Sequence, residues 1–292
     1  MLDGRITKGV GGLYSVATDD GIKFCKPRGI LRKNNLSPII GDTCSVTEAT
    51  GGRACIESLG PRRNELVRPR VSNIDAAVAV CSADNLNLFQ LDKYLAILGC
   101  QAAGNKFEIC VLVNKTDLAE PGALHTIGRV YESAGLRTLF VSAITGSGID
   151  RLKTYLNGKT AVLAGQSGAG KSSVVNALCG SLKMAVGELS AKINRGKHTT
   201  RHAEMFACAD NDGFVIDTPG FASLTFAGMS RDGLRGCFPE FTRFANGCRF
   251  ADCRHMDEPG CAVREEAGNG VSASRYENYA RFYKELSLSE PY

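Results

Sequence analysis

A glycine-rich segment near the middle of the chain constrains the fold more than any other stretch. Residues 165–172 read Gly-Gln-Ser-Gly-Ala-Gly-Lys-Ser, the pattern of a glycine, four residues and then Gly-Lys-Ser. An apolar run, residues 160–164, precedes this segment, and apolar residues at helical spacing follow it until Gly180. A strand, a glycine-rich loop and a helix start together surround a phosphate chain with backbone N–H groups. The pattern therefore predicts a phosphate-binding loop; the alternative is a glycine-rich turn that matches by chance.

Each residue of this loop has an expected role at a nucleoside triphosphate. Lys171 is expected to reach the β and γ phosphates, and the Ser172 hydroxyl is expected to ligate Mg²⁺. The other residues expected to line the phosphate chain are Gly165, Gln166, Ser167, Gly168, Ala169, Gly170 and Ser173.

A base-recognition motif stands upstream, after the apolar run 107–113. It comprises Asn114, Lys115, Thr116 and Asp117. Asp117 is expected to accept hydrogen bonds from the N1–H and the 2-amino group of guanine, a donor pair that adenine lacks. Lys115 is expected to lie along the plane of the base. The motif predicts a guanine nucleotide, since an ATPase would require Asn114 and Asp117 to be coincidental.

A second base-contacting loop is predicted at Ser142 and Ala143, which end the apolar run 138–143. The Ala143 backbone N–H is expected to meet guanine O6. Both base motifs precede the phosphate-binding loop, whereas most GTPases have the reverse order. Strands of one parallel sheet can be linked in a new order without moving the site, because domain termini commonly lie close together. The motif order therefore predicts a circularly permuted GTPase domain.

The polar segment after the predicted helix contains Lys-His-Thr-Thr-Arg. Such a segment is typical of a switch in which a threonine, here Thr200 rather than Thr199, completes Mg²⁺ coordination. The next apolar run ends in Asp-Thr-Pro-Gly. Asp217 is expected to hold Mg²⁺, and the Gly220 N–H is expected to contact the γ-phosphate.

The residue that orients the attacking water is not the usual one. GTPases often place a glutamine directly after Asp-x-x-Gly, but that position is Phe221 here, and a phenyl ring accepts no proton. The hypothesis is that His198, in the switch segment, orients the water; the alternative is a histidine on a surface loop. Intrinsic hydrolysis is then expected to be slow.

Three cysteines and one histidine near the C-terminus have metal-ligand spacing. They are Cys248, Cys253, His255 and Cys261. Three sulfurs and one imidazole form a closed tetrahedral Zn²⁺ set, which predicts a structural site. Unrelated thiols beside a surface histidine are the alternative, and Cys237 is a substitute candidate for one ligand. A helix with aromatic residues follows over 272–286, and this stripe is expected to pack rather than to stack on bases.

Residues 1–66 alternate between short apolar runs and turns, about five strands in all. This favours a small OB-type barrel, although a sandwich fragment or an SH3-like barrel has the same signature. Residues 1–70 contain twelve Lys and Arg against seven Asp and Glu, which accounts for the whole net charge of +5. A basic patch is expected at Lys26, Arg28, Arg32 and Lys33. The imbalance favours a nucleic-acid partner over ordinary scatter of surface charge.

No apolar run approaches the roughly 18 residues of a membrane helix, and the N-terminus has no signal-peptide pattern. A cytoplasmic protein is therefore expected, with its twelve cysteines as thiols or metal ligands. The expected fold class is α/β in three domains. These are an OB-fold RNA-binding barrel over 1–66, a circularly permuted P-loop GTPase domain over 67–228 and a mainly helical zinc-binding domain over 229–292.

These features together resemble the ribosome small subunit-dependent GTPase A family (RsgA, also called YjeQ). The likeness extends over nearly the whole chain. It is carried by the connector 63–75, the phosphate-binding loop, the His-Thr-Thr of the switch and the zinc ligands.

The resemblance implies a late assembly factor that binds the small ribosomal subunit in its GTP form, hydrolyses GTP to GDP and phosphate there, and leaves. It implies that the barrel and zinc module contact ribosomal RNA, that Mg²⁺ and one structural Zn²⁺ are cofactors, and that His198 acts in hydrolysis. A monomer is expected. The main rival is an RNA-binding structural protein whose nucleotide site only stabilises the fold. A third candidate is a GTPase that chaperones metal or tRNA; the lack of His-rich tracts weakens its metal version.

Overall fold

Five strands at the N-terminus close into a barrel. The computed structural model describes residues 1–49, 53–180, 203–218, 226 and 229–289. The barrel strands are β1 (Leu2–Val10), β2 (Leu13–Thr18), β3 (Gly21–Pro27), β4 (Thr43–Ala49) and β5 (Arg53–Leu59), with helix α1 (Gly29–Lys33) between β3 and β4. Their order is β1-β2-β3-β5-β4, and β4 pairs again with β1. A closed barrel of five strands confirms the predicted OB type over a sandwich, because a sandwich would keep two separate sheets.

The interior of the barrel follows from the alternation of side chains along its strands. Successive residues of a strand point to opposite faces, so every second position can be apolar and buried. The completely buried residues include Ile6, Val16, Cys25, Val46 and Ile56.

One buried carboxylate fastens the following connector to the barrel. Asp42 accepts hydrogen bonds from Arg62 Nε at 2.7 Å and from the Ser72 hydroxyl at 2.6 Å. The connector contains the two-residue strands β6 (Glu65–Leu66) and β7 (Val71–Ser72), which pair with each other. A Cβ on Gly41 would lie 2.0 Å from the Ser72 carbonyl oxygen, so only glycine permits this close approach.

A mainly parallel sheet forms the middle of the chain. Its strands are β8 (Ala76–Ser82), β9 (Glu108–Asn114), β10 (Arg137–Phe140), β11 (Thr160–Gly165), β12 (Glu204–Ala207) and β13 (Phe214–Asp217). Its helices are α2 (Leu88–Asn105), α3 (Ala123–Ser133), α4 (Ile149–Leu156) and α5 (Lys171–Cys179). The strand order is β10-β9-β8-β11-β13-β12, with β12 antiparallel to its neighbour. Alternate residues of the central strands enter two different hydrophobic clusters, so both faces of the sheet are covered.

Strand β10 is shorter than its apolar run predicts. It ends at Phe140, and Ser142 and Ala143 lie in the loop that follows. The Ser142 N–H donates to the Ser147 carbonyl at 2.9 Å, within its own loop, whereas the Val141 N–H still donates to Val113 of β9 at 2.9 Å. The second base loop therefore lies beyond the strand rather than at its last residues.

Helix α2 is longer than the predicted 86–98. It begins after Asn87, whose side chain accepts a hydrogen bond from the Gln90 N–H at 3.0 Å, and it continues to Asn105. Lys106 ends it in the left-handed conformation, with φ of 51°. The turns after Leu98 are half-buried or exposed, so apolar spacing does not reveal them.

The barrel and the parallel sheet are continuous through one strand pair. Lys8 of β1 lies opposite Glu204 of β12, and the two side chains form an ion pair at 2.8 Å. Arg5 donates to the Thr160 hydroxyl at 3.0 Å and lies over the Phe214 ring. The edge strand β12 is thereby covered, which leaves it unavailable for pairing with another chain.

The C-terminal region is helical and packs against α2. Its helices are α6 (Arg231–Leu234), α7 (Thr242–Ala245), α8 (Ala262–Glu265) and α9 (Ala273–Ser289). Tyr279 and Phe282 of α9 are completely buried, and the Tyr279 ring meets Phe238 and Phe241 edge-on. The aromatic stripe is therefore a packing surface, as predicted. Among the described residues, no helix combines the length and apolarity needed to cross a membrane.

A buried charge network joins α9 to α2. Arg275 of α9 donates to Asp92 of α2 at 2.7 Å and forms an ion pair with Glu240. Asp92 also accepts hydrogen bonds from Tyr131 at 3.1 Å and from Asn278 at 2.7 Å. All three charged side chains are 2% exposed or less. Such a network holds only while every member is present, because each buried charge depends on its partners.

Replacing Arg275 by alanine is expected to lower the free energy of unfolding by about 3–5 kcal/mol, because Asp92 and Glu240 would remain buried without a cation. Urea unfolding followed by circular dichroism measures the loss. Lys284→Ala, at an exposed position of the same helix, is the matched control and should change stability by about 0.5 kcal/mol or less. Equal effects of the two substitutions would show that the network does not stabilise the domain contact.

Candidate functional site

The carboxyl ends of neighbouring parallel strands meet at one edge of the sheet. Asn114 ends β9, Gly165 ends β11 and Asp217 ends β13. Parallel strands deliver these ends to the same edge, so motifs far apart in the chain become neighbours there. This edge is where open α/β sheets bind their ligands.

The phosphate-binding loop takes the form that its glycines allow. A Cβ on Gly165 would lie 2.1 Å from the Val80 carbonyl oxygen, and a Cβ on Gly170 would lie 2.3 Å from Asn114 Nδ2. Gly170 also has φ of 83° and immediately precedes α5, which begins at Lys171. The first N–H groups of α5 have no hydrogen-bond partner within the helix. They face the space enclosed by the preceding loop, where a phosphate group would bind.

Lys171, Ser172 and Asp217 form a polar group at the start of α5. The Lys171 ammonium donates to the carbonyl oxygens of Gly165 at 2.7 Å and Gln166 at 2.9 Å. Burial lowers the pKa of Lys171, and the nearby Asp217 opposes this shift. The Ser172 hydroxyl donates to the Asp217 carboxylate at 3.1 Å. A hydroxyl and a carboxylate side by side are oxygen donors of the kind that Mg²⁺ takes, so these residues fit that ion.

Asn114 connects the base motif to both other loops. Its Nδ2 donates to the Ala169 carbonyl at 3.0 Å, and its Oδ1 accepts from the Ala143 N–H at 3.1 Å. The residue is 1% exposed, so both bonds are shielded from water. The base motif, the second base loop and the phosphate-binding loop therefore meet at one side chain.

The remaining base-site residues lie beside this junction. Asp117 is exposed in the 3₁₀ turn Thr116–Leu118, and Lys115 precedes this turn with φ of 61°. The exposed carboxylate of Asp117 is open to a ligand. The Ala143 N–H, by contrast, is engaged by Asn114, whereas the sequence prediction leaves it free for guanine O6.

Motif reasoning misses three residues of the cleft. The cleft between the base motif and the phosphate-binding loop is lined by Ser82, Asp84, Asn85, Lys115, Gln166, Ser167, Gly168 and Ala169. Ser82 is the last residue of β8, Asp84 and Asn85 follow the strand, and all three belong to no recognised pattern. Their one sequence signal is that polar residues follow a fully apolar strand, which places them at the ligand-binding edge of a parallel sheet.

Three predicted site residues lie outside the described part of the chain. These are His198, Thr200 and Gly220. Their roles in the switch stay predictions.

The four predicted metal ligands form one cluster. The ligand atoms of Cys248, Cys253, His255 and Cys261 all lie within 4.8 Å of one another. His255 Nδ1 is 3.6 Å from the Cys248 sulfur and 3.5 Å from the Cys261 sulfur. Around a tetrahedral zinc ion with bonds of about 2.0–2.3 Å, neighbouring nitrogen and sulfur ligands lie roughly 3.5 Å apart. The donor set and its spacing therefore fit Zn²⁺.

Cys237 is not part of this cluster, so the substitute ligand considered from sequence is wrong. Its thiol donates to the Gly233 carbonyl at 3.4 Å. Its Cα packs closely against Gly99 of α2, since a Cβ added to Gly99 would lie 3.2 Å from this Cα. Cys237 is buried in the contact between α2 and the C-terminal region. Packing against α2, rather than metal binding, explains its position.

The backbone around His255 is held from several sides. The Tyr276 hydroxyl donates to the His255 carbonyl at 2.9 Å, and the Glu258 carboxylate accepts from the N–H groups of Arg254 and Met256 at 2.9 Å each. Burial lowers the pKa of His255, which favours the neutral imidazole that a metal requires. The ligands are thus oriented by the fold rather than by one flexible loop.

Comparisons with known proteins agree with this geometry. The model of the RsgA GTPase family matches residues 59–227, and that of the RsgA N-terminal domain matches residues 3–56. The small ribosomal subunit biogenesis GTPase RsgA of Agathobacter rectalis is 38% identical, with 100% of both chains covered. The protein of the same name from Caldanaerobacter subterraneus subsp. tengcongensis is 39% identical over 99% of this chain and 97% of the relative.

Solved structures confirm the permuted topology. YjeQ from Thermotoga maritima is 33% identical and superposes with a TM-score of 0.79 over 99% of both chains. YloQ, described as a circularly permuted GTPase, is 28% identical, with a TM-score of 0.78 over 100% of this chain and 97% of its own. Since the family model spans more than half of the sequence and the curated relatives align along its full length, this chain belongs to the RsgA GTPase family.

Proposed function

We propose that this chain hydrolyses GTP to GDP and phosphate during biogenesis of the small ribosomal subunit, the role stated in the names of its curated relatives. The observation that carries the proposal is the Asn114 amide, which joins the base motif to the phosphate-binding loop at Ala169. A ligand that spans both loops must carry a purine at one end and a phosphate chain at the other. GTP satisfies both requirements, and Asp117 selects guanine.

The phosphate-binding loop, residues 165–173, holds the triphosphate in this proposal. Lys171 already points between two carbonyl oxygens of the loop, and it exchanges them for β- and γ-phosphate oxygens when the nucleotide binds. Ser172 and Asp217 would hold Mg²⁺, with Thr200 as a further ligand, and the Gly220 N–H would contact the γ-phosphate. Held by these residues, Mg²⁺ would supply positive charge beside the triphosphate.

His198 is the proposed water-orienting residue. Phe221 occupies the position of the usual glutamine and offers no hydrogen bond. A histidine has the hydrogen-bonding capacity and pKa range for this task. Because His198 belongs to the switch segment, contact of the ribosomal subunit with that segment would place the imidazole at the water, and hydrolysis would be stimulated.

The barrel is the proposed contact for ribosomal RNA, and the zinc module is a second. The outward face of β3 presents Phe24, 58% exposed, beside Lys26, which is also exposed. Arg28 extends the positive edge, although it is paired with Glu57. An exposed ring can stack on a base, and neighbouring cations can meet phosphates, as in other barrels of this type.

We infer domain boundaries at 1–66, 67–228 and 229–292. The barrel has a hydrophobic cluster of its own, and most of another cluster belongs to the C-terminal region, with Ala96, Ile97 and Phe226 added from the middle unit. The two family models meet between residues 56 and 59, shortly before the first boundary. We also propose a monomer, because the cleft and the cluster of predicted metal ligands are each formed within a single copy of the chain. Action on the ribosomal subunit supports a cytoplasmic location.

Multiple turnover of GTP tests the proposed function directly. The wild-type protein is expected to hydrolyse GTP slowly alone and faster with purified small ribosomal subunits. His198→Ala should lower the stimulated rate about 100-fold or more, because positioned acid–base groups contribute about that much. His125→Ala, at an exposed position of α3, is the control. Binding of one GTP without turnover would favour the structural RNA-binding protein, and a wild-type rate in His198→Ala would remove that residue from the mechanism.

Asp117→Asn is expected to weaken GDP binding about 100-fold, because two charge-assisted hydrogen bonds to guanine are lost. The same variant should bind XDP more tightly than the wild-type protein does, since an amide N–H₂ can donate to the 2-oxo group of xanthine. Calorimetric titration of both nucleotides measures the exchange. Asp212→Asn, in the exposed loop before β13, should change neither affinity. Unchanged GDP binding in Asp117→Asn would contradict the base assignment.

The purified protein is expected to contain one Zn²⁺ per chain, and Cys253→Ser should lose it and melt at a lower temperature. Three thiolates and one imidazole close the coordination sphere, so the ion contributes directly to folding. Elemental analysis and thermal melting provide the two measurements. Cys55→Ser in the barrel is the control and should retain the metal. A metal-free wild-type protein with an unchanged melting temperature would contradict the site.

A further inference from the structure

The four residues after the apolar part of β8 form a wall of the nucleotide cleft that no motif describes. The Ala83 N–H donates to the Asn114 carbonyl at 2.9 Å, which fixes this segment to the base motif. Ser82, Asp84 and Asn85 line the cleft together with Lys115 and the phosphate-binding loop. The segment therefore takes part in the site although it lies about thirty residues before the base motif.

Asp84 is the acidic residue of this wall, and it is paired with Lys115. Its Oδ2 lies 3.1 Å from the Lys115 ammonium and its Oδ1 lies 3.4 Å from it. The side chains of Asp84 and Lys115 are 32% and 28% exposed, so the pair lies at the mouth of the cleft. The Ser82 hydroxyl, on a residue that is 6% exposed, donates to the same carboxylate and fixes its direction.

The electrostatics of the pair explain why a carboxylate can line this cleft. A nucleoside diphosphate or triphosphate is a polyanion, and an isolated carboxylate beside it would repel it. The hydrogen bond from Ser82 and then the Lys115 ammonium lower the pKa of Asp84, so it stays ionised at neutral pH. Its charge is balanced by Lys115, and any effect on the nucleotide is then exerted through that lysine.

We propose that Asp84 is a positioning residue, which holds the Lys115 ammonium at the mouth of the cleft so that the aliphatic stem of Lys115 forms one wall of the purine pocket. This inference rests on the proposed guanine-nucleotide function. It means that residues at the end of β8, outside the four-residue base motif, also contribute to nucleotide affinity. The stem packs against the plane of the base, whereas Asp117 reads its edge.

Because Lys115 contacts the plane of the base and Asp117 contacts its edge, nucleotides that differ only at the edge distinguish the two contacts. Calorimetric titration with GDP and with IDP, which lacks the 2-amino group, is carried out on the full chain. Asp84→Asn is expected to bind both nucleotides about fivefold more weakly, with their affinity ratio unchanged, as suits the loss of a half-exposed ion pair. Asp84→Glu keeps the charge and should restore most of the affinity.

Two further variants separate positioning from general disturbance. In a Lys115→Met background, Asp84→Asn should cause no further loss, because the interaction it removes is already absent. Asp210→Asn removes a comparable ion pair, with Lys153 at 3.0 Å, in the loop before β13 and away from the cleft. It should bind GDP as the wild-type protein does.

Several outcomes would overturn the inference. One is wild-type nucleotide affinity in Asp84→Asn, and another is the same fivefold loss when Asp84→Asn is added to Lys115→Met. A changed ratio of GDP to IDP affinity in Asp84→Asn is the third, because it would show that the Asp117 turn itself had moved. Failure of the wild-type protein to bind GDP would instead overturn the proposed function.

Discussion

One buried amide fixes the geometry on which the nucleotide site depends. Asn114 uses both ends of its side chain, one toward Ala169 of the phosphate-binding loop and one toward Ala143 of the second base loop. Leaving either partner unsatisfied in this buried position would cost about 1–3 kcal/mol. The base motif, the second base loop and the phosphate-binding loop are therefore held in one preferred relative position. Gly170 belongs to the same constraint, because a Cβ there would collide with the Asn114 amide.

Helix α2 joins this edge of the sheet to the C-terminal domain. Asn85, just before the helix, lines the cleft, and Asn87 caps the first turn. Asp92, in the second turn, forms a fully buried ion pair with Arg275 of α9. A helix is stiff over this distance, so its cleft end and its domain contact cannot be displaced independently. Cys253 and Cys261 of the proposed metal site lie in the same helical core, so an ion held there would link parts of that core to each other.

The sequence reveals the parts of this molecule whose chemistry is local. A phosphate-binding loop needs glycines at fixed spacing, and a zinc site needs thiols and an imidazole within a short stretch, so both are readable from the chain. The pairing of Lys8 with Glu204 and the contact of Arg275 with Asp92 are not, because each joins residues nearly two hundred positions apart. Asp84 escapes detection for a related reason: its role depends on β8 lying beside β9 in the sheet.

Circular permutation places the C-terminal domain directly after the last strand of the site. Thr218, the residue next to β13, is anchored to the sheet by donating to the Leu163 carbonyl at 2.9 Å. Residues 219–225 then lead to Phe226, whose ring packs 5.2 Å from Phe282 of α9 and lies beneath the Lys93 ammonium of α2. The chain thus passes from the Mg²⁺-binding carboxylate proposed for Asp217 into the hydrophobic core of the C-terminal helical region within ten residues. A displacement of Asp217 on nucleotide binding would therefore reach the C-terminal helices through no more than nine residues of chain, the distance in sequence from Asp217 to Phe226.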